Sequence, residues 1–308
     1  MRTFRALVIA GAVVACVLAM LGSWTRINGA GMTCPDWPLC HGAVVPVLHG
    51  GVVLEWLHRL LAFFETFVVA GLVVTGLRLR SAIPALGGML VALAAVFVLQ
   101  VLLGGATIVL ANSPLSVMIH WGAAMLLLAV LASLAVIAFA YDSRQAVPAF
   151  VWRRETVPLV IATGCAFAAM CAGAYVSSSG AGLACPTLPG CGPAFLGQTV
   201  PQALQMTHRF LAAVLVLFAV TAAALLPRSL PRATAALRVA LVLLALQIAL
   251  GVLNVLWLLP TGLREAHAAN AIATFLGFVI ASVFASLEAG QAPQLARASS
   301  RTVVPGKA

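Results

Sequence analysis

Glu55-Trp56-Leu57-His58-Arg59 places an acid, an imidazole and a guanidinium within one helical turn, at the mouth of a long apolar run. At three-residue spacing Glu55 and His58 lie on roughly one face of a helix, separated by about 4.5 Å of rise, so a group held by His58 is within reach of Glu55. Such a pair suits a site where one side chain binds and its neighbour works as an acid or base. Three more histidines, His120, His208 and His267, each stand near the start of another apolar run. His41 and His49 fall in a loop, where a histidine is ordinarily a polar tip satisfied by water or backbone.

The elements that carry these residues are membrane spans. Of 308 residues, 63% are hydrophobic and 8% charged, with a mean hydropathy of +1.12; a soluble chain has about a quarter of its residues charged. The net charge of +10 does not point to nucleic acid, because the basic residues form short clusters between apolar segments with no interleaved aromatics. Eight runs are long enough to cross a bilayer: Arg5 to Trp24, Val52 to Leu77, Ile83 to Leu110, Val117 to Tyr141, Val157 to Val176, Gln202 to Leu226, Ala233 to Leu258 and Leu263 to Leu287. The first is too long for a cleaved signal and lacks a small-residue cleavage site. Arg2, Arg5, Arg78, Arg80, Arg144, Arg153, Arg154, Arg228, Arg232, Arg238, Arg297, Arg301 and Lys307 gather on one side, against only Arg26 and Arg264 in the loops of the other. By the positive-inside rule both termini are expected in the cytoplasm, with the two long loops outside the cell (inner) membrane.

Those loops expose an internal repeat. Gly29-Ala30-Gly31 and Cys34-Pro35 return as Gly180-Ala181-Gly182 and Cys185-Pro186, and Cys40 returns as Cys191. The correspondence runs on into the membrane: His58 answers His208, His120 answers His267, and Gln100 and Gly104 answer Gln247 and Gly251. The expected fold is therefore all-α, with eight transmembrane helices forming two tandem four-helix bundles, residues 1–145 and 146–308. An even number of spans per unit gives both copies one orientation, related by a pseudo-two-fold along the membrane normal.

Cys16, Cys165 and Cys171 lie inside spans and read as small buried hydrophobes. Cys34 with Cys40, and Cys185 with Cys191, are Cys-x5-Cys pairs in outward loops and read as disulfides, worth about 2 to 3 kcal/mol each in the chain-entropy model. The rival is a four-thiolate metal site, against which each pair stands in its own repeat at a spacing wider than a usual zinc knuckle. A transient redox role for the first pair stays open. The four histidines at matching repeat positions share one membrane depth, and two imidazoles on facing helices of each bundle suit axial ligation of a porphyrin iron. Arg59 and Arg209, directly after His58 and His208, either snorkel or pair with heme propionates. Gln100 and Gln247 read as hydrogen-bonding glue between helices.

Thr25-Arg26, Gly29-Ala30-Gly31, the run Cys34-Pro35-Asp36-Trp37-Pro38-Leu39-Cys40, Glu55-Trp56-Leu57-His58-Arg59, and the partners Cys185, Cys191, His208 and His267 resemble the heme A synthase family over both halves. That resemblance implies an enzyme that oxidises the C8 methyl of heme O to a formyl group through successive hydroxylations, giving heme A for terminal oxidases. It also implies a resident heme b between His208 and His267 and the substrate heme O between His58 and His120. Partners then expected are heme O synthase, assembly factors of the terminal oxidase and membrane lipid, with no nucleic acid; a homo-oligomer is compatible.

The residues themselves show where the halves differ. Glu55 answers Gln205, so only the first half has an ionisable group three residues before its histidine, and Glu55 is the candidate acid or base. Glu65 answers Leu215, on the face of His58 but near mid-membrane, where an acid is either functional or protonated and hydrogen-bonded. A diheme electron-transfer cytochrome or a heme transporter would also need the histidines, but a cytochrome would need neither Glu55 nor an exchangeable heme, and a transporter would leave the heme periphery unchanged.

Overall fold

The computed structural model describes residues 1–140, 151 and 153–302, with side chains as far as Gly290. Among the described residues the regular elements are helices, and eight are long and apolar enough to cross a membrane. They are α1 (Arg2–Ile27), α2 (Gly50–Leu79), α3 (Ala85–Val109), α4 (Pro114–Ala140), α5 (Val157–Ser178), α6 (Val200–Leu225), α7 (Pro231–Leu256) and α8 (Thr261–Thr302). Even α5, with 22 residues, rises about 33 Å, enough for a hydrocarbon core of about 30 Å.

Local chemistry sets the helix ends. Pro114 and Pro231 open α4 and α7, and Pro158 and Pro201 stand in the first turns of α5 and α6, where a missing N–H leaves no bond unmade. Thr199 and Gln202 form a capping box at the start of α6, satisfying donors that the first turn leaves free. The turn from α3 to α4 passes through Ala111 and Asn112 with φ of 50° and 51°, and that from α7 to α8 through Leu258 and Leu259 with φ of 59° and 60°. Only Asn112 is of a type that readily takes this left-handed region, so the repeat persists in the backbone where the residue types have diverged.

Helix packing explains how the spans become sites. In the first half α1 packs on α2 and α4, and α3 packs on the same two; α5, α6, α7 and α8 make the same circuit. Hence α2 stands across from α4, and α6 from α8. The halves meet through α4 on α5, α1 on α8 and α4 on α8, a set of contacts unchanged when the halves are exchanged. As the helices nearest that seam, α4 and α8 bury 56% and 44% of their most apolar stretch, against 17% for α3 and for α6. Phe63 and Phe67 on α2 point outward, as lipid-facing side chains do. Away from the cysteine loops, Arg5 Nε donates to the Ala138 carbonyl at 2.9 Å, and Glu288 accepts from the Arg232 and Ala233 amides that open α7.

The expected spans match these helices with shifts of a few residues at their ends, except that α8 continues past Leu287 to Thr302. Tyr141, Arg144, the junction between residues 145 and 146, and Lys307 lie outside the described residues, as do the side chains of Arg297 and Arg301.

Candidate functional site

Each half carries a disulfide loop stapled to the helix below it. Cys34 is bonded to Cys40 and Cys185 to Cys191, with Cα separations of 4.7 and 4.5 Å. Each bridge closes within its own repeat, and no cluster of three or more metal-ligating side chains occurs among the described residues, so the four-thiolate alternative is set aside. Cys16, Cys165 and Cys171 are free thiols.

Glu55 fastens the first loop. Its Oε2 accepts from Thr33 Oγ1 and the Cys34 amide, both at 2.9 Å, and its Oε1 pairs with Arg59 Nη2 at 2.7 Å. Arg59 Nη2 also donates to the Cys34 carbonyl at 2.9 Å, while Nη1 donates to the carbonyls of Asp36 and Leu39. In the second half Gln205 Oε1 accepts from the Cys185 amide at 2.6 Å and Gln205 Nε2 donates to the Gly182 carbonyl. Arg209 donates to the carbonyls of Cys185, Thr187, Pro189 and Gly190. The terminal donors of Arg59 and Arg209, expected to snorkel or to meet heme propionates, are thus engaged with backbone carbonyls of the loops. A guanidinium fork matches several converging carbonyls in this way.

Asp36 organises the tip of the first loop by accepting from the His41 and Gly42 amides at 2.7 and 2.8 Å. The Gly42 N–H foremost, then that of His41 and the charge of Arg59, hold its carboxyl below the usual carboxylate range. His41 meets the Thr33 carbonyl and His49 the Val47 carbonyl, the backbone partners expected of them.

Beneath the loops the other four histidines come together in pairs. His58 on α2 and His120 on α4 lie within electrostatic range of each other, as do His208 on α6 and His267 on α8. Each imidazole rests against a glycine of a neighbouring helix: a Cβ at Gly22 would lie 3.0 Å from His58 Cε1, at Gly104 3.2 Å from His120 Cε1, at Gly173 3.0 Å from His208 Cε1, and at Gly251 3.2 Å from His267 Cε1. Glycine is needed here for the approach of a ring, not for an unusual backbone angle. Gln100 Nε2 stands 3.5 Å from His120 Nε2, and Gln247 Nε2 3.1 Å from His267 Nε2, so both amides bridge helices as expected and do so onto the histidines.

The second pair is the more completely supported. His208 Nδ1 meets the Ala169 carbonyl at 2.9 Å, and Gln247 Oε1 accepts from Asn270 Nδ2 at 2.8 Å. In the first half His58 Nδ1, His120 Nδ1 and Gln100 Oε1 are buried without a hydrogen-bond partner. The Leu18 carbonyl stands near His58, in the place of Ala169, without closing a bond to Nδ1. Paired imidazoles across a ring of four helices, braced by glycines and leaving polar atoms unmatched, fit a planar metal macrocycle held through two axial nitrogens. Glu55, one turn before His58, lies close enough to act on it electrostatically.

Three features had escaped the reading of the sequence. Gly22 and Gly173 recur at the offset of the cysteines and carried a usable signal. Asn270, whose counterpart is Ala123, carried none. At the seam Ser23 Oγ donates to Glu265 Oε2 at 2.8 Å and Arg26 Nη2 to Ser177 Oγ at 2.9 Å; the second pair joins two repeat-equivalent positions directly.

The family model described as cytochrome oxidase assembly protein matches residues 5–53 and 49–279. A heme A synthase of Bacillus licheniformis is 29% identical over 259 residues, covering 80% of this chain and 84% of that protein. A heme A synthase of Bacillus pumilus is 28% identical over 207 residues, 64% of this chain and 66% of its own length. A protoheme IX farnesyltransferase of Haloarcula marismortui is 38% identical over 77 residues, 25% of this chain and 16% of that protein. With both cysteine loops and all four paired histidines inside the matched residues, the chain belongs to the cytochrome oxidase assembly protein family.

Proposed function

We propose that this protein is a multi-pass membrane oxidoreductase, a heme A synthase, that converts the C8 methyl of heme O to a formyl group. The family and the relatives named heme A synthase support the reaction. The observation that carries the division of labour is the contrast between two histidine pairs of like placement, one amply hydrogen-bonded and one with unmatched polar atoms. On this reading residues 146–308 hold a resident heme b through His208 and His267, and residues 1–145 take the substrate heme O between His58 and His120. The two halves are four-helix bundles related by a pseudo-two-fold along the membrane normal, with termini in the cytoplasm and cysteine loops outside.

Heme b, when bound, supplies one-electron redox chemistry. The chain's own residues bind and orient. His58 and His120 fix the substrate's plane between α2 and α4, and the first loop, held down by Glu55 and Arg59, covers the end of the bundle nearest the histidines. Turning a methyl into a formyl adds one oxygen and removes two hydrogens, so protons must be managed beside the ring. Glu55 is the ionisable side chain placed for that work: among the described residues Oε1 has Arg59 as its one partner and keeps acceptor capacity. Arg59 and Arg209 keep their places as loop clamps. A membrane-bound heme O synthase is a fitting source of so insoluble a substrate, and the segment shared with a protein named protoheme IX farnesyltransferase agrees with such a partnership. The deciding test expresses the chain in cells whose heme pathway stops at heme O. A formylated heme in the extract is the expected result, whereas heme O unchanged beside a normally loaded b-type protein would favour an electron-transfer cytochrome.

A further inference from the structure

Glu65 lies on α2 seven residues past His58, on the same face and about 10.5 Å along the axis. It is 1% exposed, and neither carboxyl oxygen has a hydrogen-bond partner among the described residues. Its surroundings are apolar: a Cβ added to Gly11 on α1 would meet Glu65 Oε1, Leu72 and Leu131 all at 3.4 Å. Gly11 and Leu131 lie eleven residues, about 16.5 Å, inward of Gly22 and of His120 along their helices, so the carboxyl faces the part of the bundle inward of the histidine pair. At the same place in the second half stands Leu215, 5% exposed, an apolar side chain at the equivalent buried position. Burying a carboxyl there with nothing to bond is unfavourable. Its presence on the substrate side alone points to a partner that arrives with the substrate.

We propose that Glu65 recognises the hydroxyl group that distinguishes heme O from heme b. Resting on the assignment of heme O to the first half, this names the residue that makes that half selective. Heme O carries a hydroxyethylfarnesyl chain where heme b carries a vinyl group, so its one additional polar atom sits beside the macrocycle on an otherwise apolar arm. A hydroxyl both donates and accepts and can complete a carboxyl oxygen that the chain leaves bare; a vinyl group can do neither.

The test uses full-length protein in detergent, prepared from cells that make heme b but not heme O, so that the second site is loaded. Heme O and heme b are titrated separately into the first site and followed by absorbance, for the wild type, Glu65→Leu and Glu65→Gln. Glu65→Leu should weaken heme O binding roughly tenfold, the effect of one buried hydrogen bond, and leave heme b affinity at the first site unchanged. Glu65→Gln, which keeps a donor and an acceptor, should recover most of the loss. Undiminished resident b-type absorbance reports that each variant is folded. Equal weakening of both hemes, or unchanged heme O binding in Glu65→Leu, overturns the proposal. The two readings fail separately: a wild type that makes no heme A in cells defeats the assigned reaction, whereas a wild type that makes it while Glu65→Leu discriminates normally defeats only the role of Glu65.

Discussion

Glu55 and Gln205 do the same structural work with different chemistry. Each reaches from its helix to the amide of the first cysteine of its loop, at 2.9 and 2.6 Å, and each is followed four residues on by an arginine that gathers the loop carbonyls. The amide at 205 completes its side of the arrangement with a second bond, to Gly182, while the carboxylate at 55 is paired with Arg59. The contrast deepens further in. His208, Gln247 and Asn270 form supported contacts around the second pair, whereas His58, His120, Gln100 and Glu65 keep unmatched polar atoms. On the proposed division, a site for a permanent occupant satisfies its own polar groups in advance, and one that accepts and releases a ligand leaves groups for the ligand to complete.

The strongest way to break this comparison is to remove the histidines one at a time. On the proposed assignment, His208→Ala and His267→Ala should each abolish most b-type absorbance of the purified protein, because the resident heme would lose one of the two imidazoles that hold it. His58→Ala and His120→Ala should keep that absorbance and make no heme A. Equal loss of b-type heme from all four variants would end the division between a resident and a substrate half.

Next in size is Glu55→Gln. Gln205 shows that an amide at this position still holds a loop, so the variant should fold, keep heme b and bind heme O, while heme A production falls roughly 10²-fold or more, the scale of losing one general acid or base. The reverse exchange, Gln205→Glu, should give no second activity. Near-normal heme A from Glu55→Gln would leave Glu55 as a loop staple only.

How much of this the sequence disclosed depended on the range of the interaction. Spans were legible because twenty apolar residues in a row have few other uses, and the repeat because cysteines, histidines and glycines recur at nearly constant offset. The role of Arg59 was less so, although geometry held the clue. Residues i and i+1 on a helix point about 100° apart, so Arg59 cannot share the face of His58; it shares that of Glu55 at i and i+4, and through it the loop. Gln100 and Gln247 could be assigned to interhelical bonds but not to histidines twenty residues away, because that contact depends on how α3 and α7 lie against α4 and α8. The unmatched atoms of Glu65 were beyond a sequence reading altogether, since they are defined by what three helices fail to provide.

The glycines under the imidazoles give a smaller and more local test. Gly22→Ala places a Cβ 3.0 Å from His58 Cε1, and Gly173→Ala does the same to His208, closer than a packed ring tolerates without moving. Overpacking of this kind costs about 1 to 3 kcal/mol, so roughly tenfold weaker binding is expected at the affected site. Gly22→Ala should weaken heme O binding with normal b-type absorbance, and Gly173→Ala should disturb that absorbance with heme O binding intact. A spectrum disturbed equally by both would mean that the two sites are not separable.

The smallest effect concerns the loop tips, where Asp36 in the first half answers Thr187 in the second. Asp36 accepts two backbone amides, whereas Thr187 Oγ1 donates to the Gly190 carbonyl at 2.9 Å, so only the first tip has a bond set that titrates. The Asp36 carboxyl is held below its ordinary value in the folded loop. Its contribution is therefore fully present above the unfolded carboxyl value of about 3.9 and is lost as the pH falls through the lower folded value. Both disulfides are buried, Cys34 at 0% and Cys185 at 0% exposure, so a phosphine reductant that works in acid reaches them only when a loop opens. Below pH 4 the Cys34–Cys40 bridge should become more reducible than Cys185–Cys191, by no more than roughly a few-fold for a carboxyl that water still reaches. Glu55 also holds the first loop and carries a carboxyl, so the assignment to Asp36 rests on Asp36→Asn. That variant should reduce faster at neutral pH, as the wild type does in acid, and should lose part of the acid dependence. An Asp36→Asn loop with wild-type reduction rates from pH 2 to 7 would remove Asp36 from the acid response and make the tips of the two loops equivalent.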